Sequence, residues 1–211
     1  ARMAWSGGDA IALINPRLSN AEPFIRDLSG AGVAFKLCWA LLHSLPQNQR
    51  LTKAFQNFLI DAMTLVAIGT VADVVPLTGE NRVLVYYGLQ SVPHSRITGL
   101  KELMIVSRVK EAELKPYQIA FRLAPRLNAG GRLTHAGQCV DLLMSESEPH
   151  CRQIAEDLEK ANRERQKIEA RILDEARQQL TATPKLAKQS VLILSSEGWH
   201  PGVIGIVASR I

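Results

Sequence analysis

From about Glu148 to Leu180 the chain carries Ile154, Leu158, Ala161, Ile168, Ile172 and Ala176 among mixed charges. Steps of three, four and seven residues keep these side chains on one face of a helix. At 1.5 Å per residue such a helix runs about 50 Å, longer than a typical domain core requires. One apolar stripe on a charged rod of that length suits a connector between domains. The reading therefore places a first domain at 1–147, a connecting helix and linker at 148–185, and the start of a further domain at 186–211.

Upstream, "AIALINP" (Ala10 to Pro16) reads as a short buried strand closed by Asn-Pro. "LSGAGVAFKLCWALLHSL" reads as a helix that Ser29 caps, with Val33, Leu37, Ala40 and Leu41 on its apolar face. "TLVAIGT" is apolar enough for a strand buried on both sides, and "SVLILSSE" near the end reads as another. Between Glu80 and Met144 the pattern is helical, broken at Pro93, Pro116 and Pro125. The expected fold class is α/β: a parallel-sheet domain, a helical segment, then the long linker helix leading into a second α/β domain.

The composition, 46% hydrophobic and 21% charged, offsets chain entropy and excludes a disordered chain. No apolar run reaches the roughly 20 residues of a membrane helix, and the start lacks the pattern of a signal peptide, so no membrane partner is expected. The cysteines (Cys38, Cys139 and Cys151) are odd in number and lack C-x-x-C spacing. That argues for a reduced, cytoplasmic compartment rather than a disulfide or zinc scaffold. The absence of an initial Met and the ending within "GIVASRI" lead to the expectation of a piece of a longer protein. Eight Lys/Arg against three Glu between Ser91 and Arg132 carry the whole formal excess of +5. A basic stretch of this kind fits either a polyanionic partner, such as nucleic acid, or a merely solvated face.

Three stretches can carry chemistry. In "GTVADVVPL" a lone carboxylate, Asp73, follows an apolar run; it binds a divalent cation, caps the following turn or pairs with a nearby arginine. Asp61 is the weaker candidate, read as an exposed helical residue. "FRLAPRLNAGGRL" combines arginines with Asn128 and a Gly130-Gly131 pair, either an anion cradle or a tight turn with surface arginines. His135 just beyond it reads as a cap, a supporting group or a residue without function. In "VLILSSEGWHPGVIGIVASRI" Pro201 opens a helix whose free N–H groups make an anion site. There Trp199 either stacks on a base or fills a core, His200 is a weaker catalytic candidate, and Ser209 and Arg210 either reach a phosphate or finish the helix.

Taken together, "INPRL", "LSGAGVAFKL", "VAIGTVADVVPL", "RLAPRLNAGGRL" and "GWHPGVIGIVASRI" resemble the DHH phosphoesterase family, in its single-stranded-DNA exonuclease branch. The resemblance spans nearly the whole chain from about Ile11. It implies a 5′→3′ exonuclease that hydrolyses phosphodiester bonds with Mn²⁺ or Mg²⁺ in DNA repair and recombination. It implies Asp73 as a catalytic metal ligand, and Arg126, Asn128, Arg132, Trp199, His200, Ser209 and Arg210 as DNA or phosphate contacts. It also implies single-stranded DNA as partner, with a single-stranded-DNA-binding protein and a helicase beside it. The family's first aspartate motif and its Asp-His-His motif do not occur in this sequence, nor does its glycine-rich signature near the end of the associated domain. A lone Asp73 cannot hold two metals, so the chain is expected to be inactive by itself. The rival readings are a non-catalytic DNA-binding scaffold and a phosphoesterase of short oligonucleotides.

Overall fold

The computed structural model describes residues 13–17, 25–46, 52–110, 114–183 and 189–211. Every regular element among them is helical, and none is a strand. This overturns the α/β, parallel-sheet expectation. The "TLVAIGT" run forms the second half of helix α2 (Lys53–Ala72). A continuous apolar run is ambiguous between a buried strand and a buried helix, and here the helix packs on two neighbours, so it is apolar on more than one face. Residues 13–16 and 190–197, the other expected strands, are also without strand structure; residues 10–12 of the first lie outside the described residues.

The chain divides into compact units at residues 1–96 and 97–211. In the first, α1 (Gly30–Ser44) and α3 (Gly79–Ser91) pack on α2 around Phe35, Val66 and Leu84. Ser29 caps α1 as expected: its Oγ accepts from the Gly32 N–H at 3.1 Å and also pairs with Thr70 Oγ1 at 2.9 Å. By length and composition α2 is long and apolar enough to cross a membrane, contrary to the reading of the sequence. Its Thr64, Val66, Ala67, Ile68, Thr70 and Val71 are buried where it packs with α1 and α3, so the apolarity of this second half is that of a core helix. Asp61 is half-buried rather than exposed. Its Oδ1 accepts from Ser95 Oγ at 2.9 Å and the Arg96 N–H at 2.8 Å, tying α2 to the turn after α3.

In the second unit α4 (Thr98–Val106), α5 (Ala124–Leu133), α6 (Gly137–Met144) and α8 (Pro201–Ala208) all pack along α7 (Glu148–Ala182). The 35-residue α7 matches the expected long helix, and Ile154, Leu158, Ile172 and Ala176 lie in its buried stripe. The same stripe also buries Asn162 and Glu169. Pro116 opens the single helical turn Pro116–Gln118, and a π-helical segment, Ile119–Leu123, links this turn to α5. Pro125 accounts for the widening. It lacks an N–H and its ring crowds the carbonyl four residues back, so the ladder shifts to the longer bond from the Ala124 N–H to the Ile119 carbonyl.

Candidate functional site

Asp73 is the C-cap residue of α2, with φ −84° and ψ 3°, and its side chain is exposed. Its N–H donates to the Gly69 carbonyl at 3.0 Å. The next two residues close the helix: the Val74 N–H donates to the Val71 carbonyl at 3.1 Å and the Val75 N–H to the Thr70 carbonyl at 3.2 Å. That is the Schellman pattern, in which glycine usually takes the left-handed position. Here the position holds Val74, at φ 53° and almost fully exposed. A β-branched residue there is a genuine outlier, and such strain concentrates at functional sites. The loop that follows is pinned from α3, where Asn81 Nδ2 donates to the Asp27 carbonyl at 2.9 Å and the Pro76 carbonyl at 3.1 Å.

Whether this suffices for a metal is answered by the donor set. Among the described residues no group of three or more His, Cys, Asp or Glu is placed to hold an ion. Asp73 offers one carboxylate to solvent, so the residues present do not by themselves form a metal site.

The remaining candidates lie in the second unit. Gly130 and Gly131 are inside α5, not in a loop or turn, so their N–H groups serve the helix and make no anion cradle. Gly130 is small for a packing reason: a Cβ there would lie 2.9 Å from both Cys139 Sγ and Leu158 Cδ2. Close approach of α6 and α7 to α5 depends on it. Burial raises the Cys139 thiol pKa above the ordinary cysteine value.

Arg126 is mostly buried on α5. Its Nε lies 2.6 Å from Glu159 Oε2 on α7, and its Nη1 donates to the Arg122 carbonyl at 2.5 Å. The Nε–Oε2 pair is a close ion pair without hydrogen-bond alignment. Glu159 Oε1 in turn accepts from Arg163 Nε at 2.7 Å. Asn128 is exposed on α5. Arg132 Nη1 donates to the Gly202 carbonyl at 2.9 Å, so the structure brings together the "RLNAGGRL" and "GWHPG" stretches.

At the start of α8, His200 is the N-cap: its Nδ1 accepts from the Gly202 N–H at 3.1 Å. Helix capping therefore occupies the imidazole nitrogen nearest the backbone. Trp199 is half-buried beside Ile172, Val203 and Val207, and its Nε1 donates to Glu175 Oε2 at 2.7 Å. Of its two readings this geometry favours the core. Ser209 closes α8, donating its Oγ hydrogen to the Ile206 carbonyl at 2.7 Å.

Arg210 pairs with Glu169, which is also held by Arg165 Nη1 at 2.7 Å. Arg165 reaches Asn162 Oδ1 from Nη2 at 3.0 Å. Asn162, Arg165 and Glu169 were missed from the sequence. The available signal was their spacing: they continue the register of Leu158 and Ile172, so polar groups occupy positions of the buried stripe. Buried polar groups at such positions require partners, and here they are one another and Arg210.

No family model matches the chain. It is 38% identical over 203 residues to the single-stranded-DNA-specific exonuclease RecJ of Bacillus subtilis, covering 96% of this chain and 24% of that protein. With RecJ of Escherichia coli it shares 36% identity over 211 residues, covering 96% of this chain and 36% of that protein. Among solved structures, RecJ of Thermus thermophilus in complex with Mn²⁺ matches with a TM-score of 0.71 and 37% identity, over 87% of this chain and 26% of that one. The same organism's RecJ in complex with Mg²⁺ matches with a TM-score of 0.68 and 34% identity, over 92% of this chain and 28% of that one. The chain thus spans about a quarter to a third of the length of the curated relatives it matches. Over nearly all its residues, this chain is a homologue of one segment of the RecJ single-stranded-DNA-specific exonucleases.

Proposed function

We propose that this chain is one segment of a 5′→3′ single-stranded-DNA exonuclease that hydrolyses phosphodiester bonds with Mn²⁺ or Mg²⁺ in DNA repair and recombination. The observation that carries this reading is the identity of more than a third of the residues to RecJ proteins over 96% of the chain. Residues 1–147 belong to the catalytic domain, 148–185 to the connector and 186–211 to the start of the associated domain. Asp73 supplies one metal ligand, and ligands outside this chain complete the site. Its exposed carboxylate, beside the left-handed Val74, supports that role. Arg126, Asn128 and Arg132 stand along the DNA strand, with Trp199, His200, Ser209 and Arg210 shaping the neighbouring turn and helix. The setting is the cytoplasm, where a single-stranded-DNA-binding protein and a helicase present the strand.

The test uses the full-length protein carrying these residues, unsubstituted and as Asp73→Ala, on 5′-phosphorylated single-stranded DNA with Mn²⁺. Label release is followed from each end separately. Release first from the 5′ end, abolished by Asp73→Ala in a protein of unchanged helicity, is the expected result. Binding without release in the unsubstituted protein moves the reading to a non-catalytic scaffold.

A further inference from the structure

The end of α4, the π-helical segment and the middle of α7 enclose a polar cleft of about 380 Å³. Four arginines line it (Arg108, Arg122, Arg126 and Arg163) against a single carboxylate, Glu159. Glu159 is already engaged by Arg126 and Arg163, which leaves the cleft strongly positive. Arg122 Nη1 donates to the Arg108 carbonyl at 3.1 Å, fixing the two chain segments while leaving the other guanidinium donors of Arg122 available.

Two further observations point to a ligand. Ser107 lines the cleft and is 3% exposed, yet its Oγ has no hydrogen-bond partner. A buried hydroxyl without a partner is costly, and Ser107 holds one at the wall of the cleft. The second concerns the rim. Phe121 lines the cleft at 66% exposure and packs at a tilt of 36° against Tyr117, itself 63% exposed, with ring centroids 4.7 Å apart. An exposed aromatic pair beside a row of arginines matches what an unpaired strand requires: cations for phosphates and ring faces for bases. Arg108 sits at φ 54°, in the left-handed position that closes α4. Glycine would be easier there, so the guanidinium is present despite the backbone.

We infer that this cleft is a binding track for single-stranded nucleic acid, with phosphates against Arg108, Arg122 and Arg163 and a base stacked on the Tyr117–Phe121 pair. The inference rests on the exonuclease reading for its choice of strand chemistry. A duplex does not fit this chemistry, because its bases offer no free ring faces to the aromatic pair.

The test measures binding of a fluorescent single-stranded oligonucleotide to the full-length protein by anisotropy, in EDTA so that no hydrolysis intervenes. Tyr117→Ala/Phe121→Ala is expected to weaken binding about tenfold on an ordinary strand and little on an abasic one. Arg108→Gly is expected to reduce the magnitude of the slope of log affinity against log salt by about 0.7, with no loss of thermal stability. Unchanged affinity in both variants, or an equal loss on the abasic strand, overturns the inference. So does an unsubstituted protein that fails to bind. The separate 5′-release assay tells whether the exonuclease reading falls as well: release that persists while the cleft variants bind normally overturns the track alone.

Discussion

Arg132 and Gly202, 70 residues apart, are locked together in both directions: the Arg132 guanidinium donates to the Gly202 carbonyl, and the Arg132 carbonyl lies over the Gly202 Cα. A Cβ at Gly202 would stand 2.7 Å from that carbonyl oxygen, closer than real contacts allow. Two stretches that look like separate motifs are thus one packed corner, in which α5 ends against the start of α8.

Gly202→Ala is expected to force this corner apart and destabilise the protein by about 1–3 kcal/mol. Urea unfolding gives the answer. A midpoint that stays in place would mean that α8 shifts freely, and that the corner does not hold Arg132.

At Val74 the direction reverses. Its left-handed backbone costs an L-residue roughly 1–2 kcal/mol, and its exposed side chain contributes little packing in return. Val74→Gly is therefore expected to stabilise the protein by about 1 kcal/mol in thermal or urea unfolding, with α2 intact. A loss of stability would show that the valine side chain supports the Asp73 turn.

Glu169 is buried between Arg165 and Arg210, and the Arg165 side chain is itself only 11% exposed. Removing the carboxylate by Glu169→Ala strands that guanidinium and should cost about 3 kcal/mol, read from the urea midpoint. Arg210→Ala should cost far less, because Arg165 still neutralises Glu169 and Arg210 is half-exposed. Equal costs for the two variants would contradict this arrangement.

Burial holds the Cys139 thiol pKa above its ordinary value, so at neutral pH it carries less thiolate than a free cysteine. In a variant retaining only Cys139, reaction with a disulfide reagent should run slower than with a free thiol and accelerate at higher pH. The linkage has a definite sign. Its contribution to stability is full below the unfolded cysteine value and is lost as pH rises from there through the folded one. Reaction as fast as a free thiol would mean that the α5–α6 contact opens readily.

Much of the helical plan was legible in the residues. Ser29 announced the start of α1, Pro201 the start of α8, and Ile154, Leu158, Ile172 and Ala176 the long α7, because caps and periodicity act within a few residues of chain. The motif strings likewise pointed to the relatives the chain matches. Other features depended on contacts between distant residues, which no local pattern encodes. "TLVAIGT" has a strand's composition, and only packing against both α1 and α3 makes it the buried half of α2. Gly130-Gly131 has the look of an anion loop, yet Cys139 and Leu158 explain Gly130 as a point of helix contact. The guanidinium of Arg210 appears free in the sequence; tertiary structure decides that it neutralises a carboxylate on α7, since a charge entering a low-dielectric interior must find its counter-ion wherever the fold brings one.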